Sequence, residues 1–385
     1  MPVRQKMDFC MSISLNFSFV IGNIQIRNRF RHKPDMSQTQ IQILPSVPSL
    51  GAVGEPLVDR FGRTFDYLRL AIIEKCNLRC IYCMPEEGID FAPQSELLTY
   101  AEHLRLIRVA AVAGVTKVRF TGGEPLTHPK ILALVSGAVA TPGIESVHIT
   151  TNGLMLKGMA QDLKAAGLHG LNISLDTLRE DRFAQIARRP RLADALAGLE
   201  AALSAEFATV KINVVALRGF NDDEVTDFAE LTRDNNITVR FIELMPFDAQ
   251  QIWKTGTFLR LDFIRQQLEE TYGVLESDSG SATESTVFRV PGYAGKVALI
   301  PAYTRTLCSS CNRIRITADG KIRNCLYSQN ETDLLGPLRA GAGDKEILAL
   351  LRGSMLAKLK DGWLAQKAAG DDSGRTRISM TEIGG

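Results

Sequence analysis

Six cysteines carry the clearest chemical potential in this chain, and they fall into two compact triplets, Cys76/Cys80/Cys83 and Cys308/Cys311/Cys325. The first occupies one short stretch, Cys76-Asn77-Leu78-Arg79-Cys80-Ile81-Tyr82-Cys83. Clustered thiolates select iron–sulfur centres, zinc or copper(I). A set of four fills every metal position, whereas a set of three suits a cubane with one iron open to a non-protein ligand. The bland alternative is a zinc site completed by a distant residue. In the second triplet, the Asp319-Gly320 turn between alternating runs reads as a hairpin that folds Cys325 back onto Cys308 and Cys311. The five histidines, at 32, 103, 128, 148 and 169, all lie outside that segment. A second cluster with an open iron is therefore the sharper reading there, with a zinc site helped by an acidic or backbone ligand as the other. Cys10 stands apart and is assigned no role.

The elements that must position these residues alternate. Strand-like runs at 67–72, 117–120, 146–149, 171–175, 210–217 and 239–244 are separated by helical patterns near 99–112, 129–140, 156–166 and 191–204. Such βαβ repetition implies a parallel sheet. A barrel or partial barrel gathers the loops after its strands at one mouth, although a doubly wound open sheet would show the same periodicity. Thr99 and Glu102 form a capping box, and Asn221 and Glu224 are expected to cap the helix after the fifth strand. The loops carry Gly122-Gly123-Glu124-Pro125, Thr150-Thr151-Asn152-Gly153, Ser174 with Asp176, and Met245-Pro246. Glycine lets backbone approach a ligand closely and a glutamate can accept from an amine, while a tight turn explains the same residues. Thr150, Asn152, Ser174 and Asp176 also read as turn formers and caps. Lys117 and Arg119 share one strand face, and Lys211 and Arg240 lie within strands, where charge needs a partner. Grouped at a barrel mouth, these cations would suit a polyphosphate. After residue 270, the Ser/Asp/Glu-rich stretch 276–285 reads as a mobile loop. Strand-like runs at 287–290 and 296–300 follow, and an amphipathic helix is expected over 344–366. The chain closes in a polar tail ending Gly384-Gly385.

The 385 residues suggest about two domains. The expected division is an N-terminal extension at 1–50, a barrel at 51–270 and a smaller cysteine-bearing domain at 271–385. A net charge of +2 supplies no field drawing the chain to nucleic acid or membrane, and no run of ~18 apolar residues exists to span a bilayer. Seven cysteines are too few for a disulfide scaffold and fit a reducing compartment, the cytoplasm. Residues 1–35 hold six Lys/Arg against two acids. A disordered extension or a start at Met36 accounts for them better than a transit peptide.

Cys-x3-Cys-x2-Cys after the first strand and Gly-Gly-Glu-Pro after the second resemble the radical S-adenosylmethionine superfamily. The runs 117–125, 150–153, 171–176, 211–217 and 240–246, together with Cys311-Asn312-Arg313-Ile314-Arg315 and the terminal Gly-Gly, are similar to its GTP 3',8-cyclase family in molybdenum cofactor biosynthesis. The resemblance covers about residues 55–385. It implies an incomplete (β/α)6 barrel covered by the C-terminal domain. It also implies two [4Fe-4S] clusters, one on Cys76, Cys80 and Cys83 and one on Cys308, Cys311 and Cys325. Gly122, Gly123, Glu124, Thr150, Asn152, Ser174 and Met245 would line the S-adenosylmethionine site, and Lys117, Arg119, Lys211 and Arg240 would grip the triphosphate. Arg69, Arg313 and Arg315 would surround the substrate, with Gly384 and Gly385 reaching in. The implied reaction removes hydrogen from ribose C3' of GTP with a 5'-deoxyadenosyl radical and joins C3' to guanine C8. The implied partners are the downstream cyclic pyranopterin monophosphate synthase, a reductase and a second copy in a homodimer.

The chain departs from the usual pattern at Ile73-Glu74-Lys75, at Thr127-His128-Pro129 and at 297–300. Two competing readings follow. A peptide-modifying enzyme of the same superfamily would want more C-terminal cysteines, and a non-catalytic iron–sulfur or zinc protein would want closed four-ligand sites.

Overall fold

The computed structural model describes residues 54–245, 257–278, 285–369, 377 and 379–384. The expectations for residues 1–50, Cys10, Pro246 and Gly385 lie outside the described residues.

The first six strands are β1 (Tyr67–Ala71), β2 (Lys117–Thr121), β3 (Ser146–Thr151), β4 (Gly170–Ser174), β5 (Thr209–Ala216) and β6 (Thr238–Glu243), each parallel to the next. Helices α1 (Tyr100–Val112), α2 (Ile131–Val139), α3 (Leu156–Ala165), α4 (Glu180–Ala187), α5 (Leu192–Ser204) and α6 (Val225–Glu230) lie between them. α1 starts where Thr99 Oγ1 accepts from the Glu102 N–H at 3.3 Å while the Glu102 carboxylate accepts from the Thr99 N–H at 2.6 Å. Leu106, Ile107 and Ala110 of this helix are buried in the layer that also holds Leu68, Leu70 and Phe120. Each such large side chain removed from water contributes about 1.5–3 kcal/mol. The opposite face of the strands looks into the barrel lumen, where the polar residues collect.

The C-terminal part enters the same sheet at both edges. After α7 (Leu261–Tyr272) come β7 (Glu276–Asp278), β8 (Thr286–Arg289) and β9 (Lys296–Ile300), and β9 pairs parallel with β6. β10 (Arg313–Ile316) pairs parallel with β1, and β11 (Lys321–Arg323) and β12 (Thr332–Asp333) follow antiparallel. The order is β12-β11-β10-β1-β2-β3-β4-β5-β6-β9-β8-β7, a partial barrel whose sheet stays open. The hairpin expected at Asp319-Gly320 is the β10–β11 turn, with Gly320 at φ 73°.

Several local expectations need correction. The helix expected over 344–366 is two helices, α9 (Asp344–Leu356) and α10 (Gly362–Ala369), beyond a short α8 (Leu335–Arg339). The break frees the carbonyls of Leu359 and Lys360, which accept from the Arg63 guanidinium at 2.8 Å each. Part of the loop expected at 276–285 is strand β7, and 279–284 lie outside the described residues. Neither Asn221 nor Glu224 caps α6 with its side chain. Glu224 accepts instead from Thr177 and Leu178, and Asn221 ties the ends of β4 and β5 together. Helix α4 was not anticipated.

Candidate active site

The first triplet sits on the loop after β1, and neighbouring backbone holds that loop. The N–H groups of Arg79 and Ile81 donate to the carbonyls of Ala187 and Ile186 at the end of α4, at 3.1 and 2.9 Å. Arg188, in the left-handed region at φ 54°, donates to the carbonyls of Arg79 and Met84 at 3.2 and 2.9 Å. The glycine pair after β2 packs on the strand of chain leading into the loop. A Cβ on Gly122 would lie 2.1 Å from the Ile73 carbonyl oxygen, and one on Gly123 would lie 2.1 Å from that of Lys75. In this structure the close approach is therefore to the backbone that delivers Cys76. Glu74, one of the unusual residues, is buried and accepts from the Ala92 N–H at 2.9 Å.

A cavity of about 280 Å³ opens at the C-terminal ends of the strands and is lined by Cys76, Cys80 and Cys83. Gly122, Gly123, Glu124, Thr150, Asn152, Ser174 and Met245, drawn from four separate loops and strand ends, are brought together on its wall. Glu124 accepts from Thr151 Oγ1 at 2.7 Å and from the Asn152 and Leu126 N–H groups at 2.7 and 3.0 Å. Burial outweighs these bonds and lifts its carboxyl to about 7. Asn152 Nδ2 donates to Asn77 Oδ1 at 2.7 Å, joining the β3 loop to the cysteine loop. Asp176, weighed in the sequence as a turn former, accepts from Tyr82 Oη at 2.6 Å and from the Val215 N–H at 2.8 Å. It positions the residue just before Cys83, and burial raises its carboxyl to about 6. Burial likewise pushes the thiols up, Cys76 to about 11 and Cys83 to about 12.

The second triplet lines an adjoining cavity of about 100 Å³. Met245, Arg313 and Arg315 stand on the walls of both. Arg63 holds the Cys308 turn by donating to its carbonyl at 2.9 Å. The buried Lys358 donates to the Asn324 carbonyl beside Cys325. Burial alone would raise the Cys311 thiol, but Arg313, Lys358 and Arg315 overcome it and bring it down to about 6. Among the described residues no three His, Cys, Asp or Glu side chains converge on one metal ion. Three soft thiolates on the wall of each cavity are the donor set of an iron–sulfur cluster with one iron open to another ligand.

Between the triplets the strand register stacks cations. Arg69 of β1 stands opposite Arg315 of β10 on one side and Arg119 of β2 on the other, and Tyr67 stands likewise between Arg313 and Lys117. Neighbouring strands lie about 4.8 Å apart, and like charges directly opposed destabilise a sheet. Burial, then Arg69 and Arg313, pull the Arg315 guanidinium below its usual range. Such a rung is suited to an anionic, acceptor-rich ligand. Arg69, Arg240, Arg313 and Arg315 line the larger cavity. Lys117, Arg119 and Lys211 are not among the residues lining that cavity: Lys117 opens β2, Lys211 stands in the first half of β5, and Arg119 is the central residue of β2, level with Arg69. For Lys117 and Lys211 strand direction explains this, because the residues that open a parallel strand lie farthest from the loops after it. Lys117 Nζ lies 4.4 Å from the centre of the Tyr67 ring, and Arg119 donates to Tyr67 Oη and, at 3.4 Å, to Thr150 Oγ1. His148 lies among these cations, and burial followed by Arg119, Lys117 and Lys211 drives it down to about 2, so it stays neutral. Tyr67, Arg63, Arg188 and Lys358 were missed in the sequence. Only Tyr67 had a visible signal, its place on the Arg69 face at period two.

The tail also arrives here. Ser379 Oγ and the Met380 N–H donate to the Cys83 carbonyl at 2.9 and 3.2 Å, and Met380 and Thr381 line the larger cavity. The Gly384 carbonyl accepts from Thr121 Oγ1 at 2.9 Å, with Gly384 at φ 79°.

Comparison with known proteins agrees with this construction. Residues 70–232 match the Radical SAM superfamily and residues 237–362 match Molybdenum Cofactor Synthesis C. The chain is 45% identical over 329 residues to a GTP 3',8-cyclase of Chlorobaculum tepidum, covering 86% of this chain and 97% of that one. It is 41% identical over 334 residues to the GTP 3',8-cyclase of Moorella thermoacetica, covering 85% and 99%. It is 42% identical over 299 residues to human molybdenum cofactor biosynthesis protein 1, covering 77% of this chain and 46% of that longer one. Among solved structures, Streptococcus suis SuiB bound to S-adenosylmethionine superposes with a TM-score of 0.51 at 16% identity, covering 79% and 70%, a likeness of fold alone. On identity sustained across nearly the whole length of its curated relatives, the chain belongs to the GTP 3',8-cyclase family of the radical S-adenosylmethionine superfamily.

Proposed function

We propose that this protein converts GTP to 3',8-cyclo-7,8-dihydroguanosine 5'-triphosphate in molybdenum cofactor biosynthesis. The observation that carries the reading is a pair of three-cysteine sites on adjoining cavities, with Arg313 and Arg315 on the walls of both. Cys76, Cys80 and Cys83 would hold one [4Fe-4S] cluster, and Cys308, Cys311 and Cys325 the other. When bound, the first cluster and S-adenosylmethionine supply a 5'-deoxyadenosyl radical, and the second supplies an open iron for the guanine base.

This chain's own residues bind, orient and shield. Gly122, Gly123, Glu124, Thr150, Asn152, Ser174 and Met245 are the proposed S-adenosylmethionine wall, with Asp176 and Tyr82 fixing the loop beside it. Arg69, Arg313 and Arg315 are placed to receive the substrate's acceptor atoms, each as a charged donor. Arg240, with Lys117, Arg119 and Lys211 beneath, would hold the triphosphate toward the N-terminal ends of the strands, leaving ribose and base to face the cysteine loops. Met380, Thr381 and the terminal glycines would complete the wall and exclude water from a reactive centre.

The expected cyclic pyranopterin monophosphate synthase, reductase, homodimer and cytoplasmic setting belong to this proposal. No helix among the described residues is long and apolar enough to cross a membrane. The test is anaerobic reconstitution with dithionite and S-adenosylmethionine, measuring 5'-deoxyadenosine with and without GTP. Stimulation by GTP with a cyclised product of unchanged mass supports the reading. Cleavage indifferent to GTP would remove GTP as substrate.

A further inference from the structure

The tail has an anchor that the reading above leaves unused. Arg377 is largely buried, and its guanidinium spans two carboxylates: Nη2 lies 2.8 Å from Asp319 Oδ2, and Nε lies 2.8 Å from Glu331 Oε1. Nη2 also reaches Glu331 Oε2 at 2.9 Å, and Nη1 reaches the tail's own Glu382 carbonyl at 3.3 Å. Arg323 shares Glu331 at 3.0 Å, so two guanidinium groups and two carboxylates close a partly buried network. Asp319 sits in the turn of the β10–β11 hairpin, which carries Arg313 and Arg315 on one strand and leads into Cys325. Two residues beyond Arg377, Ser379 and Met380 bind the Cys83 carbonyl, and Ser379, Thr381 and Ile383 are buried.

We infer that Arg377 is a positioning residue: it pins the C-terminal tail to the β10–β11 hairpin, so that the tail is seated against the first cysteine loop as part of the active-site wall. A short tail of this kind has little area of its own to bury, and its docking depends on fixed polar contacts. Planar, bidentate Arg–carboxylate pairing is well suited to that, and lysine cannot reproduce it. Breaking one member of a buried charge network leaves carboxylates without their partner, which favours release of the segment.

The test is hydrogen exchange on the full-length, reconstituted protein, followed at residues 379–384. Arg377→Met should speed exchange there about tenfold or more while β1–β6 keep their protection. Arg377→Lys, which retains a charge for the carboxylates, should give a smaller acceleration in the same segment and serves if the first variant does not fold. The kinetic arm rests on the cyclase reading, and there kcat/KM for GTP should fall in step with tail release. The exchange arm needs no turnover, so it stands or falls separately from that reading. Unchanged exchange at 379–384 would overturn the inference. Equal acceleration across the β10–β11 hairpin would also overturn it, by making Arg377 a brace for the hairpin.

Discussion

The two cysteine triplets offer the same ligands in different fields, and the difference is concentrated at Cys311. Around the first, burial dominates, with the Glu124 carboxylate adding to it at Cys76, so Cys76 and Cys83 are held as thiols up to about 11 and about 12. Around the second, Arg313, Lys358 and Arg315 outweigh burial and bring Cys311 down to about 6. A metal site takes thiolates, so at the second triplet the protein prepares Cys311 for its cluster, while burial holds Cys308, like Cys76 and Cys83, toward the thiol. The first loop compensates with backbone: α4, the glycine pair and the tail all bind it. The same three-cysteine donor set thus conceals two different ways of building a site.

The largest expected effect tests whether the triplets divide the labour. Cys80→Ser should lower S-adenosylmethionine cleavage by at least about 100-fold. Cys311→Ser should remove about half the iron and a similar share of cyclisation activity or more, yet leave S-adenosylmethionine cleavage measurable. Iron analysis with 5'-deoxyadenosine and product assays checks both, and equal loss of cleavage in the two variants would erase the distinction.

A second expectation concerns the cations between the sites. Arg315→Met should weaken GTP binding about 10- to 100-fold, the loss of a charge-assisted hydrogen bond. Without GTP the same change relieves the Arg69–Arg315 opposition, and the thermal midpoint should rise by about 2 °C or more. Calorimetric binding and melting together decide it, since a fall in both would mean that Arg315 chiefly braces the fold.

The field difference itself can be titrated in the metal-free protein. Because the Cys311 value is depressed, its thiolate should appear as pH rises through about 6, whereas Cys76 and Cys83 should stay protonated until about 11 and about 12. Thiolate absorbance should show an acidic step that disappears in Cys311→Ser. Lys358→Met should move that step upward by removing one of the cations. No acidic step in the unaltered protein would dissolve the contrast. The smallest effect is a control away from both triplets: Thr99→Ala removes half of the α1 capping box and should cost about 1 kcal/mol in denaturant unfolding without changing turnover.

Much of the scaffold was legible locally. The six strands, the Thr99 cap, the Asp319-Gly320 hairpin and both triplets follow from period, turn chemistry and ligand spacing, which act over a few neighbouring residues. Misreadings arose where a distant group intervened. The 344–366 stretch keeps helical periodicity, but Arg63, nearly three hundred positions earlier, takes up the carbonyls where the helix breaks. Glu224 has the composition of a cap, yet Thr177 and Leu178 claim its carboxylate. Residue type showed that Lys117, Arg119, Lys211 and Arg240 carry charge within strands, whereas their height along a barrel depends on strand direction and register.

By itself the sequence determined the donor atoms and the alternation that carries them: which thiols exist, how they are spaced, and that strands and helices succeed one another. Those properties are set by covalent order and short-range conformational preference. Tertiary structure alone decided what each donor feels. Strand pairing set Arg315 beside Arg69, Lys358 came to lie near Cys311, and Arg377 drew the tail back to Cys83. Charge and burial act through space across residues far apart in the chain, and only the folded register brings those groups within reach of one another.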